Sequence, residues 1–175
     1  MQTTQTTQTT PKIYVACLAA YNNGILYGQW IEANQSAEAI HAEIQDMLGL
    51  SPIPNAEEWA IHDYEGFCGI RLSEYEDIAT VAEIAAMVKE HGEAWAHYAD
   101  HVGLKYATKE GFEEAYQGEW DSEEDFAENL AEETMEIPKH LEFYIDYEKF
   151  ARDLFINDYF SADGEGGKVY VFHRY

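Results

Sequence analysis

The chain has 175 residues, 34 of them acidic and 10 basic, giving a formal net charge of −24 and a pI near 4.3. This balance excludes direct binding to phosphate backbones, which needs clustered Lys and Arg, and disfavours anionic membrane surfaces; no apolar run approaches the roughly 18 residues of a membrane span. Unstructured acidic chains are excluded as well, because 46% hydrophobic and 14% aromatic residues supply a core that such chains lack.

The first ten residues form a Gln-Thr-Thr repeat without the positive and apolar stretches of a signal peptide, so residues 1–11 read as a flexible tail. Residues 12–18 read as a strand. The turn signal Asn22-Asn23-Gly24 and a second strand near 26–32 complete a hairpin with a longer loop. Ser36 caps a helix with apolar residues Ile40, Ile44, Met47 and Leu48 at helical spacing, closed by Gly49. A proline-containing loop follows, then a third strand over 58–64. Residues 12–65 thus read as a small α+β module.

Residues 66–103 read as a helical module. Ser73 and Glu76 form a capping-box pattern, and Ile78, Val81, Ala82, Ala85 and Val88 follow at helical spacing. His91-Gly92 ends that helix, and a shorter one carries Trp95, Ala99 and Val102 up to Gly103. In residues 104–175, helices are expected over 108–117, from a Ser122 cap to about 137, and from an Asp146 cap to 154. A C-terminal hairpin over 155–161 and 168–175 turns at the glycines of 164–167. The expected fold class is α+β, an elongated chain of three small subdomains.

Two cysteines, Cys17 and Cys68, are too few for a disulfide framework and read as reduced core thiols of a cytoplasmic protein. Sequence motifs give little catalytic chemistry. His97 and His101 could share a helix face, but no third metal ligand is evident. Gly164-Glu165-Gly166-Gly167-Lys168 lacks the spacing and the Ser/Thr of a phosphate loop and reads as a turn. With 34 acids, paired carboxylates for glycoside chemistry are too numerous for any one pair to inform. Lys149 and Arg152, beside Glu148 and Asp153, suggest internal ion pairs or an interface. Trp30, Trp59, Trp95 and Trp120 read as core or interface anchors.

What stands out is where the acids fall. Residues 1–60, 61–103 and 104–175 carry net charges of −5, −7 and −12, so acidity belongs to the whole body. Residues 110–136 hold 12 acids and no base. On the helix after Ser122, Phe126, Ala127, Leu130, Thr134 and Ile137 share one face, and Glu124, Asp125, Glu128, Glu132, Glu133 and Glu136 the opposite one. Those six carboxylates would span roughly 18 Å, one per roughly 3.6 Å, close to the axial phosphate spacing of about 3.4 Å along one DNA strand. Like charges three or four residues apart each destabilise a helix by about 0.2–0.5 kcal/mol, so a helix built for stability would interleave Lys.

Three stretches resemble the antirestriction protein family ArdA. They are Ile13-Tyr14-Val15-Ala16-Cys17-Leu18 with Tyr21-Asn22-Asn23-Gly24 and Gly28-Gln29-Trp30; Glu58-Trp59-Ala60-Ile61-His62-Asp63-Tyr64-Glu65; and Tyr144-Ile145-Asp146-Tyr147-Glu148 running into Phe150-Ala151-Arg152-Asp153-Leu154. They occur in family order over about residues 12–175. The resemblance implies a cytoplasmic, non-enzymatic inhibitor carried on conjugative plasmids or transposons, without cofactor or metal. It implies a curved homodimer, joined through its C-terminal domains, that mimics duplex DNA in the groove of type I restriction–modification enzymes. The carboxylates expected to contact the DNA-recognition and modification subunits are Asp63, Glu65, Glu74, Glu76, Asp77, Glu110, Glu113, Glu114, Glu119, Asp121, Glu123, Glu124, Asp125, Glu128, Glu132, Glu133 and Glu136. Charge alone leaves another reading open, an acidic interaction protein for a different basic partner such as a nucleoid protein or a polymerase surface.

Overall fold

Residues 9–175 are described by a computed structural model; the tail as far as Gln8 lies outside the described residues. The fold is α+β, with two separate three-stranded antiparallel sheets. The chain divides into two compact units, one ending at Ala96 and one covering His97–Tyr175.

In the first unit, β1 (Lys12–Cys17) is the central strand between β2 (Gly28–Glu32) and β3 (Trp59–Glu65). Ile13 pairs with Ile31 and Tyr64, and Tyr14 with Trp30 and Asp63. The two-residue period therefore buries Ile13, Val15 and Ile31 completely while Trp30 stays 43% exposed. Pro11 is also buried, and its carbonyl accepts a 2.9 Å hydrogen bond from Ala33. A register shift in the β1–β3 ladder leaves His62 without a strand partner, so Ile61 is buried while both His62 and Asp63 face solvent.

The β1–β2 connection is more than an open loop. Leu18–Asn22 forms a short helix, α1, ended by Gly24 at φ +75°, and β2 starts at Gly28, leaving Leu26 88% exposed. α2 (Ala37–Gly49) follows the sequence reading closely: the Ser36 hydroxyl accepts from the Ala39 amide at 3.2 Å, and Ile40, Ile44, Met47 and Leu48 are its buried residues. It packs on β1 and β2.

α3 (Ile78–Val102) is bent at Gly92, whose φ of 57° and ψ of −135° interrupt the helix where the sequence places its break. Its start differs from the expected Ser73 cap. Glu76 accepts from the Ser73 amide, but the helix is capped by Asp77, which accepts from Thr80 at 3.2 Å. The Ser-x-x-Glu pattern closes a turn just upstream, with Glu76 N–H donating to the Ser73 carbonyl.

The second unit holds the end of α3, then α4 (Lys109–Ala115), β4 (Tyr116–Trp120), α5 (Glu123–Thr134), α6 (Tyr147–Asn157), β5 (Tyr159–Asp163) and β6 (Val169–His173). The sheet order is β4-β6-β5. β4 falls where the sequence suggests helix continuing to residue 117; α4 ends at Ala115, and Tyr116 is extended at φ −71°, ψ 120°. α6 runs to Asn157, so Phe155 is helical and the hairpin strand starts at Tyr159. Aromatic rings fill this core. Phe160 stacks on Phe172 at 4.8 Å, Phe112 on Tyr116 at 5.0 Å, and Phe126 meets Tyr159 edge-on at 4.9 Å. Cys17 is buried as expected, but Cys68 is exposed at φ 50° in the turn after β3, and the two form no disulfide. Of the tryptophans, Trp95 is 3% exposed, whereas Trp59 and Trp120 are half-buried.

Candidate partner-binding surface

No acidic side chain is buried among the described residues. Glu43, Glu76, Glu93 and Glu123 are half-buried, and the other carboxylates face solvent. The unit ending at Ala96 holds 14 acids against 3 bases, net −11, and the His97–Tyr175 unit 20 against 7, net −13. Neither unit is a neutral scaffold for the other.

The candidate carboxylates of the first unit have structural work. Glu65 pairs with Lys12 at 3.9 Å, and Glu74 lies 3.6 Å from His62, whose ring meets Tyr21 edge-on. Asp63 accepts from the Tyr64 amide, Glu76 from Ser73, and Asp77 caps α3. These five acids are exposed at least in part, but each has a partner within the first unit.

In the second unit the acids sort differently. Glu113 pairs with Lys109 one helical turn away, and Lys168 pairs with Glu119 at 3.2 Å and Asp121 at 3.8 Å. The hydrogen bond from Lys168 to Glu119, reinforced by the charges of Glu119 and Asp121, raises the Lys168 pKa above its ordinary value. Glu123 accepts from the Ser161 hydroxyl at 2.6 Å. The side chains of Glu110, Glu114, Glu124, Asp125, Glu128, Glu132, Glu133 and Glu136 form no ion pair or side-chain hydrogen bond with the described residues.

α5 explains why they gather. The Ser122 hydroxyl accepts from Asp125 N–H at 3.0 Å and starts the helix. Phe126, Ala127 and Ala131 are buried, with Phe126 meeting Trp120 at 5.4 Å and Phe155 at 5.9 Å, and α5 packs against α6. That inner face leaves Glu124, Asp125, Glu128, Glu132 and Glu133 outward. The helix is shorter than its sequence period suggests. Thr134 donates to the Leu130 carbonyl at 2.6 Å, and Met135 is already extended at φ −117°, ψ 137°. Thr134 is therefore exposed, Ala131 takes its place in the core, and Glu136 lies beyond the helix.

The macrodipole separates two groups of acids on α5. Glu123, Glu124 and Asp125 occupy the first turn, where negative charge is favourable. Glu132 and Glu133 sit in the last two turns, where it is unfavourable, and no basic residue occupies the last turn. Helix stability does not account for the second group.

Other sequence features resolve into packing. His101 stacks on Phe160 at 3.7 Å, and His97 lies 6.1 Å from Tyr170. Lys149 and Arg152 are exposed and make no ion pair with the described residues, contrary to the internal pairing their neighbours suggest; Arg152 instead borders a groove with Glu123, Glu124 and Glu148. A second groove, lined in part by Glu128, Glu132, Glu142 and Phe143, was not foreseen from sequence, because its walls come from α5, α6 and the irregular segment between them. No helix among the described residues is long and apolar enough to cross a membrane.

Fold and surface together define an acidic α+β protein whose carboxylates point outward and are largely uncompensated by bases. The chain belongs to the ArdA family of antirestriction proteins, whose profile matches residues 13–167. No curated protein matches the sequence significantly.

Proposed function

We propose that this chain inhibits type I restriction–modification enzymes by standing in for duplex DNA in their DNA-binding groove, and so protects incoming plasmid or transposon DNA. The observation that carries this reading is the outer face of α5. Its five carboxylates from Glu124 to Glu133 span about 13.5 Å of helix axis, a mean step of about 3.4 Å, matching the roughly 3.4 Å rise between phosphates of one strand. They are exposed and unneutralised. The helix holds them in place before binding, so association needs little reorganisation, and their field speeds encounter with a basic groove.

The action needs no catalysis or cofactor. The inhibitor is cytoplasmic and acts as a homodimer joined through its C-terminal module, residues 104–175, carrying 68 carboxylates in all. At two phosphates per base pair these equal the charge of about 34 base pairs, enough for the DNA-recognition and modification subunits together. The five candidate acids of the first unit, already bonded locally, add to the field more than to specific contacts.

A competition assay tests the reading. Increasing amounts of the protein are added to a purified type I enzyme bound to a fluorescent recognition duplex. Displacement that weakens steeply with added salt is expected. Duplex that stays fully bound at low salt sinks the proposal. Recovery of a nucleoid protein or polymerase from lysate, with no restriction subunit, would favour the other basic partner.

A further inference from the structure

We infer that the groove at the C-terminal end of α5 is a docking pocket for a Lys- or Arg-bearing segment of the target enzyme that also inserts an apolar side chain. The inference rests on the inhibitor reading and adds to it a contact that DNA cannot imitate.

The groove has a volume of about 490 Å³ and lies between the end of α5, the start of α6 and the 3-10 turn Glu142–Tyr144. Glu128, Glu132 and Glu142 line it together with Met135, Phe143 and Tyr147. Phe143 is 93% exposed and Met135 49%, and Tyr144, next to Phe143 in the chain, is 83% exposed. Such a cluster on a monomer surface marks an interaction site. The turn that carries it is hydrogen-bonded: Leu141 N–H donates to Pro138 O at 2.8 Å, and Tyr144 N–H to Leu141 O at 2.9 Å. An aromatic side chain held out by an ordered turn loses little freedom on binding, as interface hot spots require.

Charge complementarity identifies the occupant. The Tyr147 hydroxyl has its pKa raised, first by desolvation and then by the charges of Glu128, Glu132 and Glu142, so all three carboxylates act on the same space. A second copy that met this groove with its own would bring three more carboxylates to that space. A restriction enzyme's DNA groove offers the reverse, cationic side chains whose methylene stems cover apolar surface while their heads meet carboxylates. Glu128 and Glu132 then serve both the phosphate-like ridge and the rim of the pocket.

The test uses the full chain in the duplex-displacement assay over a series of salt concentrations. Phe143→Ser is expected to weaken displacement about tenfold at every salt concentration, leaving the slope of log affinity against log salt unchanged. The double variant Glu128→Gln with Glu132→Gln is expected to flatten that slope. Circular dichroism checks that each variant is folded. Wild-type-like displacement by Phe143→Ser overturns the inference while leaving the inhibitor reading standing. A shift of Phe143→Ser to a smaller species in sedimentation also overturns it, because the groove would then be filled by a second copy. Failure of the wild-type chain to displace duplex at all removes the inhibitor reading and the pocket with it.

Discussion

The Lys168 ammonium lies 3.2 Å from the Glu119 carboxylate and 3.8 Å from that of Asp121, so one base at the start of β6 answers two acids at the approach to α5. Its pKa is raised, first by the hydrogen bond to Glu119 and then by the two charges. A raised folded-state value means the bridge contributes fully below the unfolded Lys value of 10.5 and is lost as pH rises through the higher folded value. Lys168→Met is therefore expected to lower the urea midpoint slightly at neutral pH, with the difference from wild type vanishing in strong alkali. The same variant frees two carboxylates, so its displacement of duplex should become more salt-dependent.

Burial raises the pKa values of Tyr98, Tyr116 and Tyr159, with smaller contributions from neighbouring negative groups. All three belong to the aromatic core of the His97–Tyr175 unit. Their neutral forms are favoured by folding, so this stability is whole below the unfolded tyrosine pKa of about 10 and is lost as pH rises through the higher folded values. The tyrosinate absorbance of these three rings should consequently appear only above the ordinary value, together with loss of near-ultraviolet dichroism. A single stage at the ordinary value, with the fold intact, would contradict this core.

Glu128 has like-charged neighbours at Glu124, Asp125 and Glu132, all on α5 and at spacings of three or four residues. Each such pair destabilises by about 0.2–0.5 kcal/mol, so Glu128→Gln is expected to stabilise the protein by about 0.6–1.5 kcal/mol. The same change should weaken duplex displacement and lower its salt slope by about one. Urea denaturation beside the competition assay reads both. A variant that gains stability without losing inhibition would show that this carboxylate serves solubility alone.

The sequence was most informative where one local rule decides the outcome. Ser36, Ser122 and Asp146 each cap a helix through a side-chain oxygen, because an orphan amide lies three residues on. The apolar period of α2 maps onto its buried face for the same reason. Legibility fails where tertiary pairing overrides local preference. Residues 116–120 follow a helix without a break signal, yet Tyr116 pairs with Phe172 and Trp120 with Val169, and β6 recruits them as a strand. The acidic side of α5 could be read from its period, but its end could not: Thr134 turns back onto Leu130, and Glu136 leaves the ridge. The groove under Phe143 left no sequence signal, because residues 135–146 have no period to read.

Gly92 sharpens the link between sequence and backbone. Its φ of 57° and ψ of −135° lie where a Cβ is strained, and it is buried inside α3. Gly92→Ala should cost about 1–3 kcal/mol, because a straight helix would redirect the chain on either side of residue 92. Gly49, the last residue of α2, gives the opposite case. It has no positive φ, and an added Cβ would meet nothing within 4 Å. Gly49→Ala should stabilise by about 0.4–1 kcal/mol through the unfolded chain alone. Urea midpoints of the two variants should therefore move in opposite directions from wild type. If both rose, Gly92 would not be holding the bend, and α3 would tolerate a continuous helix through that residue.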